Sequence, residues 1–368
     1  MTPQPFRLNV PDADLTDLRG RLARTRWPDE PPLEPWSTGA SLAYMKDFTA
    51  YWRDSFDWRA QEARLNALPQ FTLPIGGIDL HFIHIRGTGA NPMPLLVSHG
   101  WPGSVFEFMR LVPLLTERFT LVIPSLPGYT LSFKPGQARF SIEQIADLYA
   151  ALMSALGYER FGAQGGDWGG FVASCLGHRH AARMIGIHLN LLAVRREPNT
   201  ASEHPVYARQ LAHFLHEETG YQWIQGTRPQ TLAFGLTDSP AGLAAWSVEK
   251  FRAWTDCNGN PENSVSRDEM LADISLYWFT GAIGSSFWPY YARMHGPWPI
   301  PEGSTVDVPT GYVEFPREIL RPPRSLAART YTDIRRWTVE KKGGHFAALE
   351  QPEVLAREIR TFFASLRG

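Results

Sequence analysis

Phe161-Gly162-Ala163-Gln164-Gly165-Gly166-Asp167-Trp168-Gly169-Gly170 is the stretch that decides how this chain is read. An apolar segment of helical period, Ile142 to Leu156, precedes it, and another, Phe171 to Leu176, follows. Tyr158 to Gln164 therefore reads as a short buried strand between two helices. Gly165-Gly166-Asp167-Trp168-Gly169 fits the pattern small-x-nucleophile-x-small of a sharp strand-to-helix elbow, with Asp where such elbows commonly carry Ser. The flanking glycines suit a turn in which side chains would collide with strand and helix. The aspartate matters chemically. A serine that attacked an sp³ carbon would leave an ether, which activated water cannot cleave, whereas a carboxylate leaves an ester, which it can. The plainer reading is an Asp that only caps the following helix.

The whole chain narrows the alternatives. It has 368 residues, enough for one large domain or a core with an insertion. Its 36 basic and 37 acidic residues give a net charge of −1 without a basic block, which argues against nucleic acid or an anionic membrane as partner. No apolar run reaches the ~18–20 residues of a membrane span, and Met1-Thr2-Pro3-Gln4 does not open a leader-like segment. Cys175 and Cys257 are too few and too far apart for a disulfide framework or a zinc site. A cytoplasmic protein is expected. The 13 Trp, 12 Tyr and 21 Phe would fill a core and could also wall a large apolar pocket.

Along the chain, residues 1–70 read as a helical meander too short in each piece to stand alone. Leu15, Leu18 and Leu22 mark one helix; Leu42, Met45, Phe48 and Trp52 a second; Trp58, Glu62 and Leu65 a third. Phe71 to Ile85 reads as a hairpin turning at Gly76-Gly77. Strands are expected at Leu95–Ser98, Leu121–Pro124, Met184–Leu189, Thr305–Thr310 and Arg336–Val339. Helices are expected from Ser104 through Val112, after a Ser141/Gln144 capping box, and from Pro352 to Leu366. This alternation indicates an α/β fold with a doubly wound, mostly parallel sheet. Residues 195–299 break the rhythm and read as a helical cap over the strand C-termini, leaving 71–194 and 300–368 as the core.

Other residues could complete a site. His345 follows the last strand in Lys342-Gly343-Gly344-His345-Phe346, where a general base is expected in an elbow-type hydrolase. Glu318 or Glu314 could orient it, and spacing does not choose between them. The backbone N–H groups of Trp101, in His99-Gly100-Trp101-Pro102, and of Trp168 would form an oxyanion hole. A leaving alkoxide needs an acid, for which the insertion offers Tyr207, Tyr221, Tyr277, Tyr290 and Tyr291.

With these residues assembled, the chain resembles the microsomal-type epoxide hydrolases, members of the α/β-hydrolase fold, in a form without a membrane anchor. The likeness rests on Phe6-Arg7-Leu8 through Arg26-Trp27-Pro28, His99-Gly100-Trp101-Pro102-Gly103-Ser104, Gly165-Gly166-Asp167-Trp168-Gly169 and Gly343-Gly344-His345-Phe346-Ala347-Ala348. It implies Asp167 as nucleophile, His345 as base and Glu318, in Phe315-Pro316-Arg317-Glu318, as its acid. It also implies Tyr221, after Gly220, and Tyr290, with Tyr291 as neighbour, as the proton donors. Neither metal nor organic cofactor is implied. The expected partner is a small epoxide, apolar or aryl, and a homodimer is compatible with the family. Pro127-Gly128-Tyr129-Thr130-Leu131-Ser132 departs from the family pattern, which usually has Gly-Phe after the Tyr; a change in the pocket wall is expected. Two other readings share the fold: a haloalkane or haloacid dehalogenase using the same aspartate, and a non-catalytic receptor or scaffold.

Overall fold

A computed structural model of the chain describes residues 2–195 and 200–366. Among them, nine strands share one sheet: β1 (Gln4–Phe6), β2 (Gln70–Ile75), β3 (Ile78–Ile85), β4 (Met93–Ser98), β5 (Phe119–Pro124), β6 (Phe161–Gly165), β7 (Met184–Leu189), β8 (Thr310–Glu314) and β9 (Ile334–Val339). Their order is β1-β2-β3-β5-β4-β6-β7-β8-β9. The first three pairs, β1–β2, β2–β3 and β3–β5, are antiparallel, and from β5 through β4 to β9 all pairs are parallel. Every residue of β5 and β6 is buried, as expected of parallel strands covered on both faces. Helices Ile142–Ala155, Asp167–Arg179 and Pro352–Ala364 pack against the sheet. The first opens on a complete Ser141/Gln144 capping box.

The connection from β4 leads to β5 on one side, and the chain then returns to place β6 on the other. The loops after β4 and β6 diverge at that reversal, where open α/β sheets form their binding crevice. His99-Gly100-Trp101 leaves β4 and Gly166-Asp167 leaves β6, so the sheet order brings these two segments together.

The N-terminal helices Asp12–Ala23, Leu42–Asp54 and Trp58–Asn66 bury the apolar positions named above except Leu42, which is half-buried, and add polar ties to the insertion. Trp52 Nε1 donates to Ser275 Oγ at 2.9 Å, and Tyr44 Oη donates to Glu262 at 3.0 Å. The insertion is helical, including Pro205–His213, Gly220–Thr227, Pro229–Asp238, Pro240–Trp254, Arg267–Thr280 and Trp288–His295. Its expected start at 195 adjoins residues 196–199, which lie outside the described residues. Among the described residues no helix is long and apolar enough to cross a membrane.

Four local expectations need correction. β1 was not anticipated; three residues carry no periodicity, and Phe6 is held by pairing with Gln70 and by edge contact with His81 at 5.0 Å. The helix expected from Ser104 through Val112 is a 3₁₀ turn, Val105–Phe108, followed by a separate turn, Val112–Leu115. Pro113, which has no N–H, cannot continue a helix from upstream but suits the start of a new one. The strand expected at Thr305–Thr310 lies at Thr310–Glu314 instead, and Val306 makes only a single bridge to Tyr331. Pro309 cannot donate to a ladder, so regular pairing begins after it. The strand before the elbow starts at Phe161 rather than Tyr158.

Candidate active site

Asp167 is the first residue of the helix that follows β6, and its φ is +47°. A non-glycine residue there carries strain on the order of 1–3 kcal/mol, sustained only by its surroundings. The surroundings are tight. A Cβ at Gly165 would lie 2.2 Å from the Gly169 carbonyl carbon, and one at Gly169 would lie 2.1 Å from Ser98 O. Glycine at both positions lets strand, elbow and helix meet.

The carboxylate of Asp167 faces two different groups. Oδ1 accepts the Trp101 backbone N–H at 2.8 Å, and Oδ2 lies 3.4 Å from His345 Nε2. His345 Nδ1 donates to Glu318 Oε1 at 2.6 Å, an oxygen that also accepts the Ile319 N–H at 2.8 Å. The His345 backbone N–H donates to Trp254 O at 2.9 Å, which fixes the loop after β9. Burial alone would lower the His345 pKa, but Glu318's charge and the contacts with Asp167 outweigh it and hold the imidazole well above its usual value. Glu314 ends β8, has no contact with His345, and is pushed up by burial.

His99 belongs to the scaffold. Its Nδ1–H donates to Gly100 O at 2.9 Å, so Nε2 is free to accept the Leu126 N–H at 3.0 Å. Burial brings its pKa down to about 4.

Above Asp167 opens a cavity of about 550 Å³, walled by Phe171, Leu211, Tyr221, Tyr290 and Trp298 among other residues. Tyr221 sits in the first turn after a π turn at Phe214–Glu218. Its ring stacks on Trp101 at 5.5 Å between centroids, and Gln222 donates to its hydroxyl at 2.9 Å. Tyr290 meets Trp168 edge-on at 4.7 Å and Tyr221 at 5.7 Å. Its hydroxyl approaches Tyr221 and the Trp168 indole without a well-directed hydrogen bond to either. Burial is the main cause that pushes both tyrosine pKa values up, joined by the charge of Asp167 at Tyr221 and by Tyr221, then Asp167, at Tyr290, so both are protonated at neutral pH. The other three tyrosines are placed differently. Tyr207 lies in the far wall of the cavity, Tyr277 donates to Gly103 O at 2.8 Å, and Tyr291 stacks between Trp288 and His295. Trp168 is in the first turn of the elbow helix, where backbone N–H groups lack intrahelical partners.

Sequence reasoning missed Glu107. A second cavity of about 20 Å³, room for one water, lies beside Asp167 and is bounded by His345, Glu107, Gln164 and Asn190 among others. Glu107 is buried, and burial first, then the charge of Asp273, raises its pKa well above the carboxyl range against the opposing effect of His345. A Cβ at Gly103 would fall 1.3 Å from Glu107 Oε1, so that glycine makes room for the carboxyl group. Asp273 itself is pushed up to about 7 by burial, while Ser104 Oγ donates to its Oδ1. The only sequence hint was an acid four residues after Gly103, too common a pattern to single out.

A strained elbow aspartate, a histidine–glutamate pair and an oxyanion donor on a β5-β4-β6-β7-β8-β9 parallel sheet define an α/β-hydrolase. Comparison with known proteins agrees: residues 93–234 match the family described as alpha/beta hydrolase fold, and residues 3–108 that described as Epoxide hydrolase N terminus. A protein of Stigmatella aurantiaca is 43% identical over 99% of this chain and 85% of its own length. Epoxide hydrolase 1 of Sus scrofa is 35% identical over 99% of this chain and 89% of its own. The crystal structure of juvenile hormone epoxide hydrolase from the silkworm Bombyx mori superposes with a TM-score of 0.88 at 29% identity, covering 100% of this chain and 95% of that one. The chain belongs to the epoxide hydrolase family.

Proposed function

We propose that the protein converts epoxides to vicinal diols through an alkyl ester formed on Asp167. The observation that carries this reading is the division of labour on one carboxylate. Oδ1 is held by the Trp101 N–H, Oδ2 faces His345, and two protonated phenols stand across the cavity. Oδ2 attacks an epoxide carbon while Tyr221 and Tyr290 bind the ring oxygen and supply its proton. Two phenols suit an oxygen leaving group; a halide would need no proton, which weighs against the dehalogenase reading.

Esterification removes one of the charges that keep His345 protonated. The imidazole then sheds its proton more readily and, oriented by Glu318, takes one from water. That water attacks Cγ while the Trp101 and Trp168 N–H groups hold the oxyanion. The small cavity beside Asp167 is where this water waits, and neutral Glu107 can both donate to it and accept from it. Glu107→Gln should keep ester hydrolysis within a few-fold of normal, whereas Glu107→Ala should slow it about tenfold and leave ring opening intact, on the scale of one lost hydrogen bond. Equal rates for the two variants in single-turnover quench experiments would remove Glu107 from the scheme.

Substrate fit follows from the large cavity, whose walls are mostly aliphatic and aromatic; bulky apolar or aryl epoxides suit it. Helices between residues 200 and 295 form its roof and act as the lid. Tyr221→Phe and Tyr290→Phe should each slow ring opening roughly 10- to 100-fold, less than the full general-acid effect because the other phenol remains. Stopped-flow indole fluorescence checks this, and an unchanged rate in the double variant would rule out phenol catalysis. The scheme as a whole is tested by one turnover in ¹⁸O-water. Label is expected in the Asp167 side chain and not in the first diol; label in the diol alone would mean direct attack by water.

A further inference from the structure

Lys250, on the helix Pro240–Trp254, is only 6% exposed although its side chain ends in an amine. Its Nζ lies 4.5 Å from the centroid of the Tyr221 ring and 5.5 Å from that of Trp254, and it pairs with Glu249 at 2.5 Å. Burying an ammonium group costs several kcal/mol unless partners compensate. The Glu249 pair does not require that burial: Glu249 is the adjacent residue and its side chain is 28% exposed, so the two could meet at the surface. An apolar side chain of similar length would fill the space at lower cost. The cation is instead spent on an aromatic face, and that face belongs to a phenol whose hydroxyl looks into the reaction cavity.

Ring opening loads negative charge onto that hydroxyl. As the Asp167 Oδ2–carbon bond forms and the epoxide carbon–oxygen bond breaks, the proton moves from the phenol to the departing oxygen, leaving a phenolate. Its proton is restored from the water consumed in ester hydrolysis. Burial and the charge of Asp167 both oppose a phenolate at Tyr221. A cation over the π face acts in the other direction. Building on the function proposed above, we propose that Lys250 is a positioning residue for ring opening: its ammonium group holds the Tyr221 ring and offsets the negative charge that gathers on the phenol.

Other charged groups around the pair are accounted for. Asp167 and Tyr290 face Tyr221 from the core and the cap. Glu217, Glu218, Glu249, Arg252 and Arg317 line the outer groove into which Lys250 faces. Arg252 lies over the Trp36 ring, so it does not take the place of Lys250 at Tyr221.

Lys250→Met tests the proposal, with Lys250→Gln as a second variant should the first fold poorly. Ring opening should slow roughly 3- to 30-fold, the range expected from one desolvated cation–π contact, while hydrolysis of the ester keeps its rate. Lys250→Arg should restore most of the rate. In a Tyr221→Phe background, Lys250→Met should add nothing. Equal slowing of both half-reactions, no recovery with Lys250→Arg, or an undiminished effect without the Tyr221 hydroxyl would overturn the proposal. If Tyr221→Phe alone left ring opening unchanged, the fault would lie with the role given to Tyr221, and the Lys250 proposal would fall with it.

Discussion

His345→Gln is expected to turn the enzyme into a trap: ring opening proceeds, hydrolysis does not, and intact-mass analysis finds one substrate mass added to Asp167. The basis is the geometry of the carboxylate. Oδ2 can attack without help from an imidazole 3.4 Å away, because the phenols and not His345 supply the proton. Water attack on the ester, by contrast, has no other base in position, since Glu107 is held neutral and Glu318 is turned toward Nδ1. Loss of a general base costs about 10²–10⁴-fold, so turnover should fall by that factor while the first-turnover burst persists. In the native enzyme the same asymmetry appears with pH. Below the pKa of His345 in the ester form the imidazole keeps its proton and cannot act as base. Acid should therefore slow ester hydrolysis and spare ring opening. A His345→Gln enzyme that cycles at the normal rate would end the two-step scheme.

The second large effect is at the elbow. Asp167→Ala should abolish ester formation and lower turnover by about 10⁴-fold or more, in line with the loss of a nucleophile that works as part of a unit. Alanine at a φ of +47° should also be less stable by about 1 kcal/mol, because aspartate tolerates the left-handed region better. Calorimetry separates that modest loss from unfolding. The variant should still bind apolar epoxides or diols, since the walls of the large cavity are unchanged. Substantial residual turnover with no adduct would show that Asp167 is not the nucleophile.

The parts legible in the sequence are those where one residue type is forced by its immediate neighbours. Gly165 and Gly169 could not be replaced without backbone collision, so their spacing marked the elbow. The Ser141/Gln144 box marked its helix because both hydrogen bonds are local. The parallel sheet could be read from alternating apolar segments, as the family and fold matches agree. Illegible features depend on contacts made across the chain. Glu314 and Glu318 stand four residues apart in similar company, and only the path of the chain after β8 turns one toward His345. Tyr290 and Tyr291 are neighbours whose difference is the face of a single turn. Val306 and Val308 alternate like a strand, yet Pro309 and the register with β7 put the strand one segment later. Glu107 and Lys250 carried no motif at all; each is defined by what surrounds it once the elbow and the cap are in place.

Asp167 stands in the partition between two chambers, a roomy apolar one on the substrate side and a one-water niche behind it. On the proposed scheme the second reactant waits in that niche, so a bulky group held in the apolar chamber does not obstruct its delivery. Ring-opening constants should spread widely across a substrate series, while breakdown of the intermediate runs at nearly one pace for all of them. Selection between substrates, and between mirror-image forms of one substrate, is then settled before water takes any part.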